Sequence, residues 1–310
     1  MRALVAAGRI GDHDGVDAAV LIGRAWRSAG AHVAALGLAE PGADWARAHR
    51  ALCPDDPAHY LSLTGHGPDA IVAAMASVGV CNLPRHWSPT VDMSAMDFDV
   101  ALERQRQRRA HGVELVGICA ADQTGQLLTG PLGLAGTRGD LGLAERLGLD
   151  RGLEHWAQGL RAAVGSGPTG QAPAGSGPGS TGEDASGLPG RVPGSGAGGG
   201  AGAVVQAFGG TVRSGVDVLA RAARLEQSIA RADLVVTSCD VFDVDHWGSP
   251  VTDYVAALAN KHEKPVVVIA RTNHTYEIGQ RSVGIEAVHA IGDDADVTSA
   301  CGGFARSWIW

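Results

Sequence analysis

An α/β fold built on an open parallel sheet is what this sequence predicts, and three observations predict it. The first forty residues run strand, glycine-rich loop, helix, strand, which is the opening of a βαβ unit. The same order recurs between Ala232 and Ala270. The strands there are continuous apolar runs rather than alternating ones, as expected of parallel strands covered on both faces.

Taken in order, Ala3 to Ala7 is a short apolar strand that ends in Gly8-Arg9-Ile10-Gly11-Asp12-His13-Asp14-Gly15. Val16 to Ser28 has apolar residues at helical spacing, and Ala31 to Leu38 is a second strand. His13 between two aspartates could be a ligand cluster, but Asp and Gly are also what a solvated turn uses. Asp44 to Leu52 and Asp69 to Val78 read as helices, the latter with Pro68 suited to a first helical position. Asp97 to Ala110 is helical, and its basic run from Arg104 to Arg109 reads as a solvated face. Val113 to Ala121 is a strand stopped by Asp122, followed by a loop rich in Gly and hydroxyls. In open α/β sheets that position, the carboxyl end of a strand, is where ligands sit. One or two helices follow over Asp140 to Val164.

Residues 165–193 are dominated by Gly, Ser and Pro with hardly an apolar side chain, so a flexible segment is expected there. It leads into Gly194-Ser195-Gly196-Ala197-Gly198-Gly199-Gly200-Ala201-Gly202-Ala203. Glycines at this density let backbone N–H groups approach an anion, and a helix starting over Ala203 to Phe208 would favour the same anion. The letters G-x-G-x-x-G occur at Gly194, Gly196 and Gly199, but no strand precedes them. The run therefore reads either as an anion cradle or as more linker. Beyond it, Gly215 to Arg231 is helical, Ala232 to Thr237 a buried strand, Pro250 to His262 a helix and Pro265 to Ala270 a strand. Val283 to Ile291 is expected as a last strand, and a helix from Asp294 closes the chain.

A net charge of −8 over 310 residues argues against a nucleic-acid surface or a polybasic membrane anchor. Five scattered cysteines with no C-x-x-C pair suit reduced thiols, and no apolar run reaches membrane-spanning length, so a cytoplasmic protein is expected. The densest set of potential ligands follows Thr237, where Cys239, Asp240, Asp243, Asp245 and His246 fall in what reads as a loop at the carboxyl end of a strand. Oxygen ligands of this kind suit Mg²⁺ together with phosphate oxygens. Taken singly, Asp243 or Asp245 would cap the next helix and Cys239 would be a small buried group. Their position favours the set as a site.

These segments together resemble the type I glycerate kinase family of bacteria. The run from Pro193 to Ala203 is similar to the family's P-G-A-G-A-A-G-G-L-G-A, and Ala232 to Thr237 to its A-D-L-V-I-T. Ser214 to Leu219 resembles P-G-I-E-x-V, and Ala121-Asp122 with Leu127 to Gly133 resembles C-D-V-x-N-P-L-L-G-P-x-G. The resemblance implies a Rossmann-like parallel sheet domain built from both chain ends, 1–60 plus 204–310, with a second α/β domain inserted over 61–203. It also implies ATP-dependent phosphorylation of D-glycerate, with ATP and Mg²⁺ as cofactors.

The departures from the family bear on activity. Its D-S-F-K-G after the first strand becomes Gly8-Arg9-Ile10-Gly11-Asp12, without a lysine. In its T-G-E-G-x-x-D-x-Q-T-x-x-G-K segment, Thr237 and Asp243 are kept, while the glutamate falls on Cys239 and the lysine on Ser249. For a working kinase the resemblance gives Asp243 and Asp122 catalytic positions. Gly194, Ser195, Gly196, Gly198, Gly199, Gly200 and Thr237 would take phosphate or substrate, and Asp240 and Asp245 would take Mg²⁺. The alternative is a catalytically inactive relative that binds a small anion or nucleotide as a sensor or partner subunit. A homo-oligomer stays open, with Trp308 and Trp310 either a contact surface or docked on the chain's own sheet.

Overall fold

The computed structural model describes residues 1–65, 68–165, 190–243, 245, 247–293 and 295–309. Most of the segment expected to be flexible, from 166 to 189, lies outside the described residues, as do His246 and Trp310. The chain forms two compact units, Met1–Asp55 with Gly215–Trp310, and Asp56–Ser214.

The first unit begins with β1 (Arg2–Ala7), α1 (Gly15–Ser28), β2 (His32–Gly37) and α2 (Ala43–Leu52). Asp14 caps α1, its Oδ1 accepting the amides of Val16 and Asp17 at 2.9 and 3.0 Å, so the turn after β1 is built by helix capping. The inserted unit then runs β3 (His59–Ser62), α3 (Pro68–Val78), α4 (Asp99–Ala110), β4 (Leu115–Cys119), α5 (Leu143–Gly165), α6 (Ala201–Ala207) and β5 (Thr211–Ser214). The chain returns to the first unit as α7 (Gly215–Ala222), α8 (Leu225–Arg231), β6 (Leu234–Phe242), α9 (Pro250–Lys261), β7 (Val266–Asn273), α10 (Glu277–Ser282), β8 (Ala287–Ala290) and α11 (Val297–Trp308).

In the first unit all strand pairs are parallel, in the order β2-β1-β6-β7-β8. From β1 the chain winds outward to β2, and from β6 it winds the other way to β7 and β8. The switch point therefore lies between β1 and β6, and the crevice beyond their carboxyl ends is the place where open α/β sheets bind ligands. Val5, Val235, Val236 and every residue from Val266 to Ala270 have no exposed surface, which accounts for the unbroken apolar runs. The inserted unit has its own parallel sheet, β3-β4-β5, and its own core, where Trp87 and Trp156 meet edge to face at 5.2 Å.

Several expectations are corrected. The second seam falls between Ser214 and Gly215 rather than at 203/204, because Val204, Val205 and Phe208 on α6 are buried in the inserted unit's core. Gly215 to Arg231 is two helices, broken where Arg224 takes a left-handed backbone at φ 50°. The supposed loop after Thr237 is strand as far as Phe242, since Val241 and Phe242 still pair with Thr272 and Asn273. Part of the supposed last strand is turn, Val283 being the C-cap of α10, and only Ala287–Ala290 pairs with β7.

Candidate functional site

In the first unit, the loop leaving β1 and the end of β6 are tied together at the switch point. The Ser238 hydroxyl donates to the Gly8 carbonyl at 2.8 Å, and the Gly11 amide donates to Asp240 Oδ1. Gly11 sits in a tight turn closed by Ile10 and His13, with φ at +57°. Arg9 donates to Asp44 Oδ2, its Nε at 3.0 Å, and that carboxylate raises its pKa further. The lysine that the family carries in this loop is thus matched only by an arginine already paired. One strand further along, Arg271 lies in β7 beside Asp240, between the register pairs Cys239 with Ala270 and Val241 with Thr272.

The acidic residues after Thr237 do not act as one cluster. Asp240 is exposed on β6 and faces the Gly11 amide. Asp243, half-buried, accepts the Asp245 amide at 3.1 Å, and its carbonyl accepts the Trp247 amide at 2.9 Å. Asp245 is exposed on that turn. Neither caps α9; Ser249 does, its Oγ accepting the Thr252 amide at 3.3 Å. Cys239 is buried, and burial first, with Asp240 and Asp243 adding to it, pushes its thiol up to about 12. Thr237 is fully enclosed in β6 and its hydroxyl has no hydrogen-bond partner among the described residues, so it offers no surface to a phosphate as it stands. Among the described residues, no three His, Cys, Asp or Glu side chains are placed to hold a metal ion.

In the inserted unit the glycine run and the turn carrying Asp122 are neighbours. The Gly198 amide donates to Gln123 Oε1 at 3.0 Å, and Asp122 is the exposed residue beside that glutamine. Asp122 also reaches Cys119, whose thiol is pushed up to about 11, by burial first and by that carboxylate second. The run itself is buried apart from a half-buried Gly199. Its amides are largely used by the protein. Those of Ser195, Gly196, Ala197, Gly200 and Ala203 donate to the carbonyls of Val192, Gln126, Gly194, Gly196 and Ser195, and that of Ala201 to Ala197 and Gly198. Ser195 Oγ donates to the Gly190 carbonyl and accepts the Leu128 amide, both at 2.9 Å, as an internal strut. The expected anion cradle is therefore a close-packed turn here. Gly194, Gly198, Gly199 and Gly200 serve it by taking positive φ. Beside the start of α6, a cavity of about 350 Å³ opens between the β3 exit and α3, lined among others by Leu63, Thr64, Asp69, Ser77 and Ala201.

The groups implied by the resemblance fit unequally. Mg²⁺ in a kinase site needs one or two carboxylates besides phosphate oxygens, and Asp240, exposed at the end of β6, is of that kind. Most amides of the glycine run already donate within the protein, which leaves few of them for a phosphate. The sequence reading missed Arg271 and Gln123. The signal for Arg271 was present, a charged residue directly after five buried apolar ones at the carboxyl end of a strand.

Among known proteins, residues 104–307 match the glycerate kinase family. An uncharacterized protein of Mycobacterium bovis and one of Mycobacterium tuberculosis are each 30% identical over 183 residues, 58% of this chain and 42% of theirs. Glycerate 2-kinase of Escherichia coli K12 is 36% identical over 105 residues, 34% of this chain and 26% of that enzyme. The match thus spans less than half the length of these curated relatives. A crystal structure from Salmonella typhimurium LT2, provisionally named glycerate kinase 2, superposes with a TM-score of 0.63 at 17% identity. That superposition covers 99% of this chain and 96% of the other, a likeness of fold.

Proposed function

Since this chain belongs to the glycerate kinase family, we propose that it transfers the terminal phosphoryl group of ATP to D-glycerate or a closely similar small hydroxy acid. The observation that carries this reading is the switch-point crevice of the first unit. There Asp240 on β6 meets the loop from β1, and Asp243 directly follows the end of that strand. Phosphoryl transfer asks a protein mainly for positioning and for cations against the developing charge. Asp243, kept from the family motif, would hold the metal or the substrate, and Asp240 would stand in for the glutamate that has become Cys239. Bound Mg²⁺ would supply charge neutralisation on the phosphate oxygens.

A second reading has specific support. Most of the run's amides are occupied and Arg9 is already paired, which favours a non-catalytic relative that binds a small anion or nucleotide. A coupled ADP-release assay with Mg-ATP and D-glycerate separates the two. Glycerate-dependent ADP release that falls by about 100-fold in Asp243→Asn is the outcome expected of the kinase. Thermal stabilisation by ADP without turnover would leave only the binder.

A further inference from the structure

We propose that a second copy of this chain docks along the open edge of β3, the two β3 strands pairing antiparallel and the two α3 helices packing side by side. The first ground is an unmet sheet edge. β3 is the outer strand in the order β3-β4-β5. It bonds to β4 through its odd-numbered residues, the amides of His59 and Leu63 donating to the Glu114 and Ile118 carbonyls at 2.8 Å each. Ser62 and Thr64, both exposed, therefore direct their N–H and C=O groups to the open side. Proteins ordinarily blunt such an edge with Lys, Pro or a bulge, or cover it. His59-Tyr60-Leu61-Ser62 holds neither Lys nor Pro, and its register with β4 runs without a bulge. The second ground is α3. Of its eleven residues only Asp69 is charged. A surface helix turns charged and polar residues outward. Here the exposed positions after Asp69 are Ala73, Ala76 and Ser77. Between that helix and the β3 edge lies the cavity of about 350 Å³, with Leu61, Leu63, Ala70 and Ala74 in its walls.

Charge selects the occupant. Asp69 lies in the first turn of α3. Arg104 lies over Gly79, just past the other end, where a Cβ would stand 3.1 Å from its Cδ and Nη1. Both side chains are exposed, and neither has a partner of opposite charge among the described residues. About 15 Å of helix separates the two positions, so they do not meet within one chain. A two-fold axis beside Ser62 runs the α3 helices of two copies in opposite directions. Asp69 of each copy then comes to the end where the other carries Arg104. The same axis lets the two Ser62 backbones exchange N–H···O bonds as a directly opposed antiparallel pair does. Ala73 and Ser77 are short enough to let the two helices approach. One surface thus offers backbone, helix face and charge in self-complementary form.

The test is sedimentation velocity on the full chain across micromolar concentrations, with hydrogen exchange followed at the Ser62 amide. Wild type is expected to dimerise, and the Ser62 amide to exchange more slowly as the dimer fills. Ser62→Pro removes the outward N–H and leaves the bonds to β4 in place. Ala73→Glu sets like charges where the helices meet. Each is expected to raise the dimer Kd about a hundredfold, with circular dichroism showing the fold kept. Should one of them fail to fold, the other decides. Asp69→Arg alone should raise Kd about tenfold, and adding Arg104→Asp should restore it, a rescue that only a second copy of the chain provides. A wild type that stays monomeric at every concentration overturns the proposal. So does a dimer whose Kd is unchanged in the folded Ser62→Pro and Ala73→Glu variants, which would place the interface elsewhere. A monomer with a slowly exchanging Ser62 amide overturns it as well, because the chain then covers its own edge.

Discussion

Gly202 occupies the second position of α6, where an alanine would ordinarily be favoured by about 1 kcal/mol. Here a Cβ would lie 1.9 Å from the Gly194 carbonyl oxygen, a backbone atom that cannot swing aside. Gly202→Ala is accordingly expected to lose about 1–3 kcal/mol in urea denaturation, opposite in sign to helix propensity. A gain in stability would show that the run is loosely packed. The same comparison explains what the sequence could and could not disclose at this scale. Glycine density at 194–202 is visible in the letters. Whether such glycines expose amides to an anion or let two backbones touch depends on where Gln123, Gln126 and Val192 place their oxygens, and that is a tertiary fact. The end of β6 was placed too early for a related reason, because a strand's last visible apolar residues need not be its last paired ones.

Among elements, α11 and β8 meet through a contact that depends on pH. His289 on β8 stacks on Phe304 at 4.3 Å, and its Nε2 stands 3.0 Å from Trp308 Nε1, which can only donate. The imidazole must therefore be neutral at Nε2, and burial lowers its pKa below the usual 6.5. A folded-state pKa below the unfolded one means that the unfolded chain binds the proton more readily. The stability from this contact is complete above about pH 6.5 and is lost as pH falls through the folded value. Urea denaturation at about pH 7 and about pH 5 should show a loss in the wild type that His289→Phe, which keeps the stacking, largely abolishes. An equal loss in both would place the sensitivity elsewhere. The contact also docks Trp308 on the chain's own sheet. As for elements seen and unseen, β1, β6 and β7 were legible because central parallel strands are apolar throughout. The four-residue strands His59–Ser62 and Thr211–Ser214 were not, being half-exposed and mixed in polarity. The acidic tail of β6 hid its continuation, since Asp240 interrupts the apolar run while the backbone goes on pairing with β7.

At the scale of the whole molecule, the two units keep separate cores. Trp156, Phe208 and Met75 belong to one, and Trp26, Val236 and Ile269 to the other. Residues 56–214 are contiguous and contain a complete sheet of their own, so this segment expressed alone is expected to fold. Far-UV circular dichroism with a cooperative melt would bear that out, and a chain without a transition would show that its core needs the rest. The alternation of apolar runs made the two βαβ units readable, but the seam was misplaced because α6 follows the glycine run and yet packs backward into the inserted unit. The pairing of Ala3 with Leu234 has a consequence for biosynthesis. At the usual pace of translation, β1 leaves the ribosome on the order of ten to forty seconds before its central neighbour exists. Throughout that interval the nascent chain carries an apolar strand with one edge unmet, while the inserted unit can already fold behind it. Holding that edge in solution, by a chaperone or by slow translation, is then the step on which the yield of native protein turns.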